Sequence, residues 1–280
     1  MTGTIYLVPT PIGNLGDITL RALETLKKVD IVAAEDTRQS LKLLNHFEIK
    51  KPLISYHMHN EQGKGNELIE RAKRGESIAV VSDAGTPGVS DPGEVIVKKC
   101  IEHGIHFEVL PGATAFTTAL VYSGLDTSKF MFKGFFPREN KDRKVFLADI
   151  ESRTETIMVY ESPYRVIESL SVMKEGLGNR NVAVCRELTK LYESIYRGTF
   201  EEAIAFFVEN APRGEFVIVI EGKTKEAIEQ EEKAKWEHMT IEEHIISYIE
   251  AGEKKKDAIK SVAKERSMAK SDVYKYSLDL

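Results

Sequence analysis

The chain has 280 residues, 42% of them hydrophobic, which allows two or three domains with sizeable cores. Its formal net charge of −5 argues against broad non-specific affinity for RNA, so any RNA contact has to use a local basic patch. No stretch approaches the ~20 apolar residues of a membrane span, and no basic segment leads into an apolar one at the amino terminus, so a cytoplasmic protein without membrane partners is expected.

Residues 5–8 (Ile-Tyr-Leu-Val) read as a strand, followed by the small-residue stretch 9–17 and a helix beginning near Ile18. Residues 30–34 form a second strand, ending in Glu35-Asp36-Thr37-Arg38. In 56–60, alternation places His57 and His59 on one face, but no nearby Cys, Asp or further His completes a ligand set, and no metal is expected. Residues 77–81 read as a buried strand and 94–101 as a helix. The twelve residues between them, Ser-Asp-Ala-Gly-Thr-Pro-Gly-Val-Ser-Asp-Pro-Gly, hold three Gly, two Pro and two Asp. Glycine lets a ligand approach the backbone and proline stiffens the remainder, as a ligand loop at a strand's carboxyl end requires. Residues 107–110 form another strand, running into Pro111-Gly112-Ala113-Thr114-Ala115. Three such strand–loop–helix passages fit one doubly wound layer with its loops on one sheet edge.

A helix ends at 124–128, which marks the crossing into a second domain with strands at 156–160, 182–185 and 216–220 and helices at 165–174 and 199–210. Residues 223–235 are charged and read as a solvated helix or linker. Thr240-Ile241-Glu242-Glu243 has the form of a capping box, with Ile241, Ile245, Ile246 and Ile249 as one apolar face. Short helices at 255–264 and from 271 complete a helix-turn-helix-like unit. The expected domains are therefore 1–124, 125–224 and 225–280. Cys100 and Cys185 lack metal-type spacing and read as buried free thiols.

The segments 8–15 (Val-Pro-Thr-Pro-Ile-Gly-Asn-Leu), 83–93 (Asp-Ala-Gly-Thr-Pro-Gly-Val-Ser-Asp-Pro-Gly) and 110–115 (Leu-Pro-Gly-Ala-Thr-Ala) resemble the bacterial ribosomal RNA small subunit methyltransferase I group of the tetrapyrrole methylase superfamily. The resemblance runs from about Thr4 to Gly222 and is looser beyond. It implies two α/β domains of tetrapyrrole-methylase type with the cofactor cleft between them, plus a small C-terminal helical module. It also implies S-adenosyl-L-methionine as cofactor and a homodimer. The residues agree on the cofactor. No Gly-x-Gly-x-x-Gly follows the first strand and no Gly-Lys-Ser/Thr loop occurs, and those motifs exist to surround phosphates, which this cofactor lacks.

Carried over position by position, the resemblance implies a cofactor pocket of Asp83, Ala84, Gly85, Val89, Thr114 and Ala115, closed by Tyr160-Glu161 and Gly214-Glu215 of the second domain, with Pro9 and Pro11 on its floor. Superfamily members commonly carry Gly-Asp-Pro where this chain has Ser82-Asp83-Ala84, a departure that favours the ribosomal RNA branch. Gly85→Val is expected to block close approach and weaken cofactor binding while leaving the fold largely intact, provided the site is unstrained.

Asp36, Arg38, Glu161 and Arg165 match family segments at strand ends and are expected to border the reacting ribose; the other reading makes them local structural pairs. His57 and Asn60 are expected on the substrate side. Lys133, Arg138, Lys141, Arg143 and Lys144 form the densest basic stretch outside the tail and are expected to contact RNA phosphates, the alternative being a solvated loop and helix start. Lys254, Lys255, Lys256, Lys260 and Lys264 are expected to help dock a large substrate, against a purely packing role for the tail. Three functions stand. The first is methylation of a cytidine ribose 2′-hydroxyl in small-subunit (16S) ribosomal RNA or the 30S particle. The others are methylation of a precorrin-type tetrapyrrole and a non-catalytic ribosome-binding role on the same fold.

Overall fold

The first half of the chain alternates strand and helix: β1 (Ile5–Leu7), α1 (Leu20–Lys28), β2 (Ile31–Ala34), α2 (Thr37–His46), β3 (Leu53–Ser55), α3 (Glu61–Lys73), β4 (Ile78–Val81), α4 (Glu94–His103), β5 (Phe107–Val109) and α5 (Ala115–Ser123). These assignments come from a computed structural model that describes residues 2–278, apart from the side chains of Glu229, Glu231, Glu232 and Lys235. The chain forms two compact units, one up to Gly222 and the other from Lys223.

The five strands pair in parallel in the order β3-β2-β4-β1-β5. Ile31, Ala33, Ile78 and Val80 pack on α3 and α4 through Leu68, Ile69, Ile96 and Cys100. Val32, Ala34, Ala79 and Val81 pack on α1 and α2 through Ala22, Leu26 and Leu44. A parallel sheet covered on both faces needs apolar side chains at every position, which is why Ile31–Ala34 and Ile78–Val81 carry no polar residue. The chain leaves β1 toward β2 and leaves β4 toward β5, in opposite directions across the sheet. The carboxyl ends of these adjacent strands therefore form the crevice where open α/β sheets bind ligands.

The same unit continues through β6 (Phe130–Phe135), α6 (Asn140–Ile150), β7 (Thr156–Glu161), α7 (Val166–Leu177), β8 (Asn181–Arg186), β9 (Ser194–Thr199), α8 (Phe200–Glu209) and β10 (Phe216–Ile220). The second sheet runs β6-β7-β10-β8-β9, parallel between β6 and β7 and antiparallel elsewhere. One face buries Phe146, Leu170, Met173, Phe200 and Phe207 from α6, α7 and α8. Met158, Ala183, Cys185, Val217 and Val219 on the other face pack on Ala119 and Leu120 of α5 and on Ile12. A helix of the first sheet thus also serves the second, so the loops at its amino end lie where the sheets meet. β3, β6 and β9 have no counterpart in the sequence reading. All three are edge strands with mostly half-buried or exposed residues, so the continuous apolar run that marks a central strand is missing.

The second unit holds α9 (Lys225–Trp236), α10 (Ile241–Glu250), α11 (Lys255–Glu265) and α12 (Lys270–Lys275). The capping box is present: Glu243 N donates to Thr240 Oγ1 at 3.1 Å and Thr240 N to the Glu243 carboxylate at 2.8 Å. Ile245, Ala258, Ile259, Val262, Ala263 and Val273 form its core. Ile246, expected in that core, is exposed, and His244 is buried beside Trp236, with ring centroids 5.3 Å apart. No helix among the described residues is long and apolar enough to cross a membrane.

Candidate active site

The loops following β1 and β4 are joined by a pair of backbone hydrogen bonds, Thr10 N to Gly85 O at 2.9 Å and Gly85 N to Thr10 O at 3.0 Å. Gly85 has φ +85°, and a Cβ there would lie 3.4 Å from both Ala113 O and Ile12 Cγ2. The unstrained site on which the Gly85→Val expectation depended is not found, because any side chain at this φ also strains the loop by about 1–2 kcal/mol. The β4 loop closes on itself at Gly93, where a Cβ would stand 2.6 Å from Gly88 N. That closure holds Asp91, two residues earlier, over the crevice.

A cavity of about 280 Å³ opens between these loops and the second sheet. Of the residues expected at the cofactor, Ala84, Gly85, Val89, Thr114, Ala115, Tyr160, Glu161 and Glu215 line it. Pro9, Pro11, Asp83 and Gly214 do not. Pro9 and Pro11 are buried, Pro9 against Gly112, where a Cβ would stand 2.3 Å from its own. Asp83 instead ties two loops together: its Oδ1 accepts from Asp36 N at 3.0 Å and its N–H donates to Glu35 Oε2 at 3.3 Å. At Gly214 a Cβ would meet Glu187, whose Oε1 accepts from Glu215 N at 2.8 Å.

The sequence reading missed Asp91, Phe135, Glu187 and Lys190, which also line the cavity. Asp91 was legible within the Ser-Asp-Pro-Gly stretch, whereas Glu187 and Lys190 follow β8 without any motif. The lining is apolar and acidic. Lys190 is its only cation, and its ammonium is held by Glu187 and Glu215 at 2.9 Å each. Glu161, 2% exposed, accepts from Arg165 at 2.9 Å, Ser169 Oγ at 2.6 Å and Ser162 N at 2.7 Å. Among the described residues Asp91 finds no hydrogen-bond donor and no ion-pair partner. Burial, with Glu35, Asp83 and Glu215 nearby, pushes its carboxyl up to about 7. Burial also raises Tyr160 and Cys185, each to about 12, so both stay protonated at neutral pH. An acid-rich lining of this kind is electrostatically better suited to a cation than to a phosphate.

The expected substrate residues are placed differently. Asp36 caps α2, accepting from Arg38 N at 2.8 Å, and pairs with the Arg38 guanidinium at 2.7 Å. Arg38 holds that carboxyl down at about 2, so Asp36 is ionised at neutral pH. Arg165 does not line the cavity; besides Glu161 it donates to Phe136 O at 2.7 Å and Pro137 O at 3.0 Å, tying the β7 turn to the end of β6. Both pairs follow the local-pair reading. Residues 57–60 are a turn rather than an extended segment, with His57 N donating to Asn60 Oδ1 at 2.9 Å. His57 faces Glu35 electrostatically, at the same end of the sheet. Arg143 is buried, pairs with Glu168 at 2.5 Å and donates to Pro137 O at 3.1 Å, so it leaves the expected RNA patch. Lys133 pairs with Asp149 at 2.6 Å. Arg138, Lys141 and Lys144 are exposed. Among the described residues no group of three or more His, Cys, Asp or Glu could hold a metal ion.

Residues 4–204 match the family model of tetrapyrrole (corrin/porphyrin) methylases. A ribosomal RNA small subunit methyltransferase I of Bacillus subtilis is 50% identical over 272 residues, covering 97% of this chain and 93% of that protein. Its counterpart in Synechocystis sp. is 44% identical over 279 residues, covering 99% and 98%. The crystal structure of diphthine synthase shares the fold, with a TM-score of 0.64 at 16% identity over 79% of this chain and 91% of its own. The three glycine-lined loops and the two sheets they join are thus those of a tetrapyrrole methylase, and the chain belongs to the ribosomal RNA small subunit methyltransferase I group of that family.

Proposed function

We propose that the chain is an S-adenosyl-L-methionine-dependent methyltransferase acting on the ribose 2′-hydroxyl of a cytidine in small-subunit (16S) ribosomal RNA, free or in the 30S particle, as a cytoplasmic homodimer. Membership of the methyltransferase I group supports the substrate. The observation that carries the cofactor is the acidic cavity between the sheets. An unpaired carboxylate at Asp91 suits a sulfonium, and the Gly85 approach leaves room for a ligand against backbone. Gly85, Thr114 and Ala115 would hold the cofactor from the first sheet, with Tyr160 and Val217 opposite. Bound there, it supplies an electrophilic methyl group on a positively charged sulfur. The apolar side chains of Val89 and Leu188 in the lining would limit water around the reacting oxygen.

Calorimetry with S-adenosylmethionine and methyl incorporation into immature small subunits, against a precorrin, test the reading. Incorporation only into the precorrin would overturn the substrate, and no cofactor binding would leave a ribosome-binding role.

Tyr164 supports an RNA substrate further. It is 96% exposed and follows Pro163, which lines the cavity, while Phe135 on the rim is 61% exposed. Arg138 follows the backbone that Arg165 grips, so exposed rings and a cation share one rim. Tyr164→Ala should raise the RNA KM roughly tenfold with cofactor affinity unchanged, and Tyr164→Trp should restore it. An unaltered KM would remove the ring from the substrate path.

Lys254, Lys256, Lys260 and Lys264 are exposed on the second unit and, with Lys255, are proposed to contact phosphates during docking. Truncation after Lys225 should then preserve cofactor binding but weaken methylation of particles and its salt dependence. Full activity on particles would make the unit structural.

A further inference from the structure

Among the described residues, Asp91 is the one carboxylate lining the cavity that has neither a hydrogen bond nor an ion pair. Glu161 is taken up by Arg165, Ser169 and the Ser162 N–H, and Glu187 and Glu215 by Lys190. Lys190 is itself held between two carboxylates and has no free electron pair for a proton. Tyr160 and Cys185 already carry theirs at neutral pH. The charged groups facing Asp91 come from three elements, Glu35 after β2, Asp83 after β4 and Glu215 before β10, and all are acids. The Gly88–Gly93 closure presents Asp91 from a stiff loop, which suits a group that has to meet a reacting atom.

We propose that Asp91 accepts the proton lost by the substrate hydroxyl, and that the positive charge of the cofactor keeps it ionised until the methyl group has moved. The proposal rests on the methyltransferase reading above. The hydroxyl oxygen forms the O–CH3 bond, the S–CH3 bond breaks with its electron pair remaining on sulfur, and the hydroxyl proton passes to an Asp91 carboxylate oxygen. Charge balances, since a sulfonium and a carboxylate become a thioether and a carboxylic acid. Burial, with only acids beside it, raises Asp91 toward neutrality; a bound cation favours its ionised form, and loss of that cation returns it toward the protonated one. The site therefore gains basicity as the transferred charge disappears, and the neutral thioether product loses its electrostatic hold.

Calorimetry at pH 7 in buffers of different ionisation enthalpy reads the coupling. S-adenosylmethionine should release about half a proton more than S-adenosylhomocysteine does, and Asp91→Asn should abolish the difference. In single-turnover methylation of small-subunit RNA, Asp91→Asn should slow the chemical step about 100-fold or more and remove the acidic limb, which the bound cation places below pH 7, while Asp91→Glu restores part of both. The ligand-free protein offers a third readout. The native Asp91 carboxyl stands at about 7 against an ordinary 3.8, so the native state binds more protons between them and loses stability as pH rises through that window. The thermal midpoint of Asp91→Asn should gain on the parent across it and run level above. Equal proton release by both ligands, or Asp91→Asn turnover within tenfold of the parent, overturns the proposal. The binding arm decides the coupling even if the parent fails to methylate RNA, a failure that would instead refute the substrate. Should Asp91→Asn not fold, Asp91→Ser serves as the second neutral variant.

Discussion

Tryptophan in place of Ala84 should raise the dissociation constant for S-adenosylmethionine by about 100-fold or more, a cost of roughly 2.7 kcal/mol. Ala84 lines the cavity and is exposed, so the new ring enters the space a ligand needs without displacing core atoms. The parent thermal midpoint should be retained, which separates this variant from Gly85→Val, where the φ of +85° adds strain to the steric block. Calorimetry beside a melting curve checks both statements. Near-parental affinity in a folded Ala84→Trp protein would move the cofactor out of this cavity.

Arg165→Ala should lower the stability of the first unit by about 3–5 kcal/mol, the usual cost of breaking a buried ion pair by removing one partner. Glu161, 2% exposed, would keep a buried charge, and the Phe136 and Pro137 carbonyls would lose their donor. Arg38→Ala offers the contrast: its guanidinium is 87% exposed and pairs only with the neighbouring Asp36, so the urea midpoint should stay in place. Combining Arg165→Ala with Glu161→Gln should recover part of the loss, because the stranded charge disappears. Equal midpoints for the two arginine variants would show that the Glu161–Arg165 pair does not hold β7 to β6.

The strands at 78–81 and 216–220, the ligand loop between 82 and 93, and the capping box at Thr240 were legible in the chain itself. Each depends on short-range rules: an apolar run long enough to be buried on both faces, glycines where a loop must turn, a hydroxyl three residues before a glutamate. The family motifs likewise located the cavity loops, because the residues that shape those loops are contiguous.

Tertiary structure alone decided which charges are available. Asp36 and Arg38, Glu161 and Arg165, and Arg143 and Glu168 each pair with one another, which gives partners to residues that look reactive or phosphate-binding in sequence. Arg143 and Glu168 are 25 positions apart, and no local pattern pairs them. Asp91 shows the converse. As one of two aspartates in a polar loop it looks ordinary, and its basicity arises when burial and the carboxylates of Glu35 and Glu215, from distant parts of the chain, join Asp83 of its own loop around it. Charge type is written in the sequence. Whether a charge is spent or free depends on what burial brings beside it, because desolvation and pairing act through space rather than along the chain.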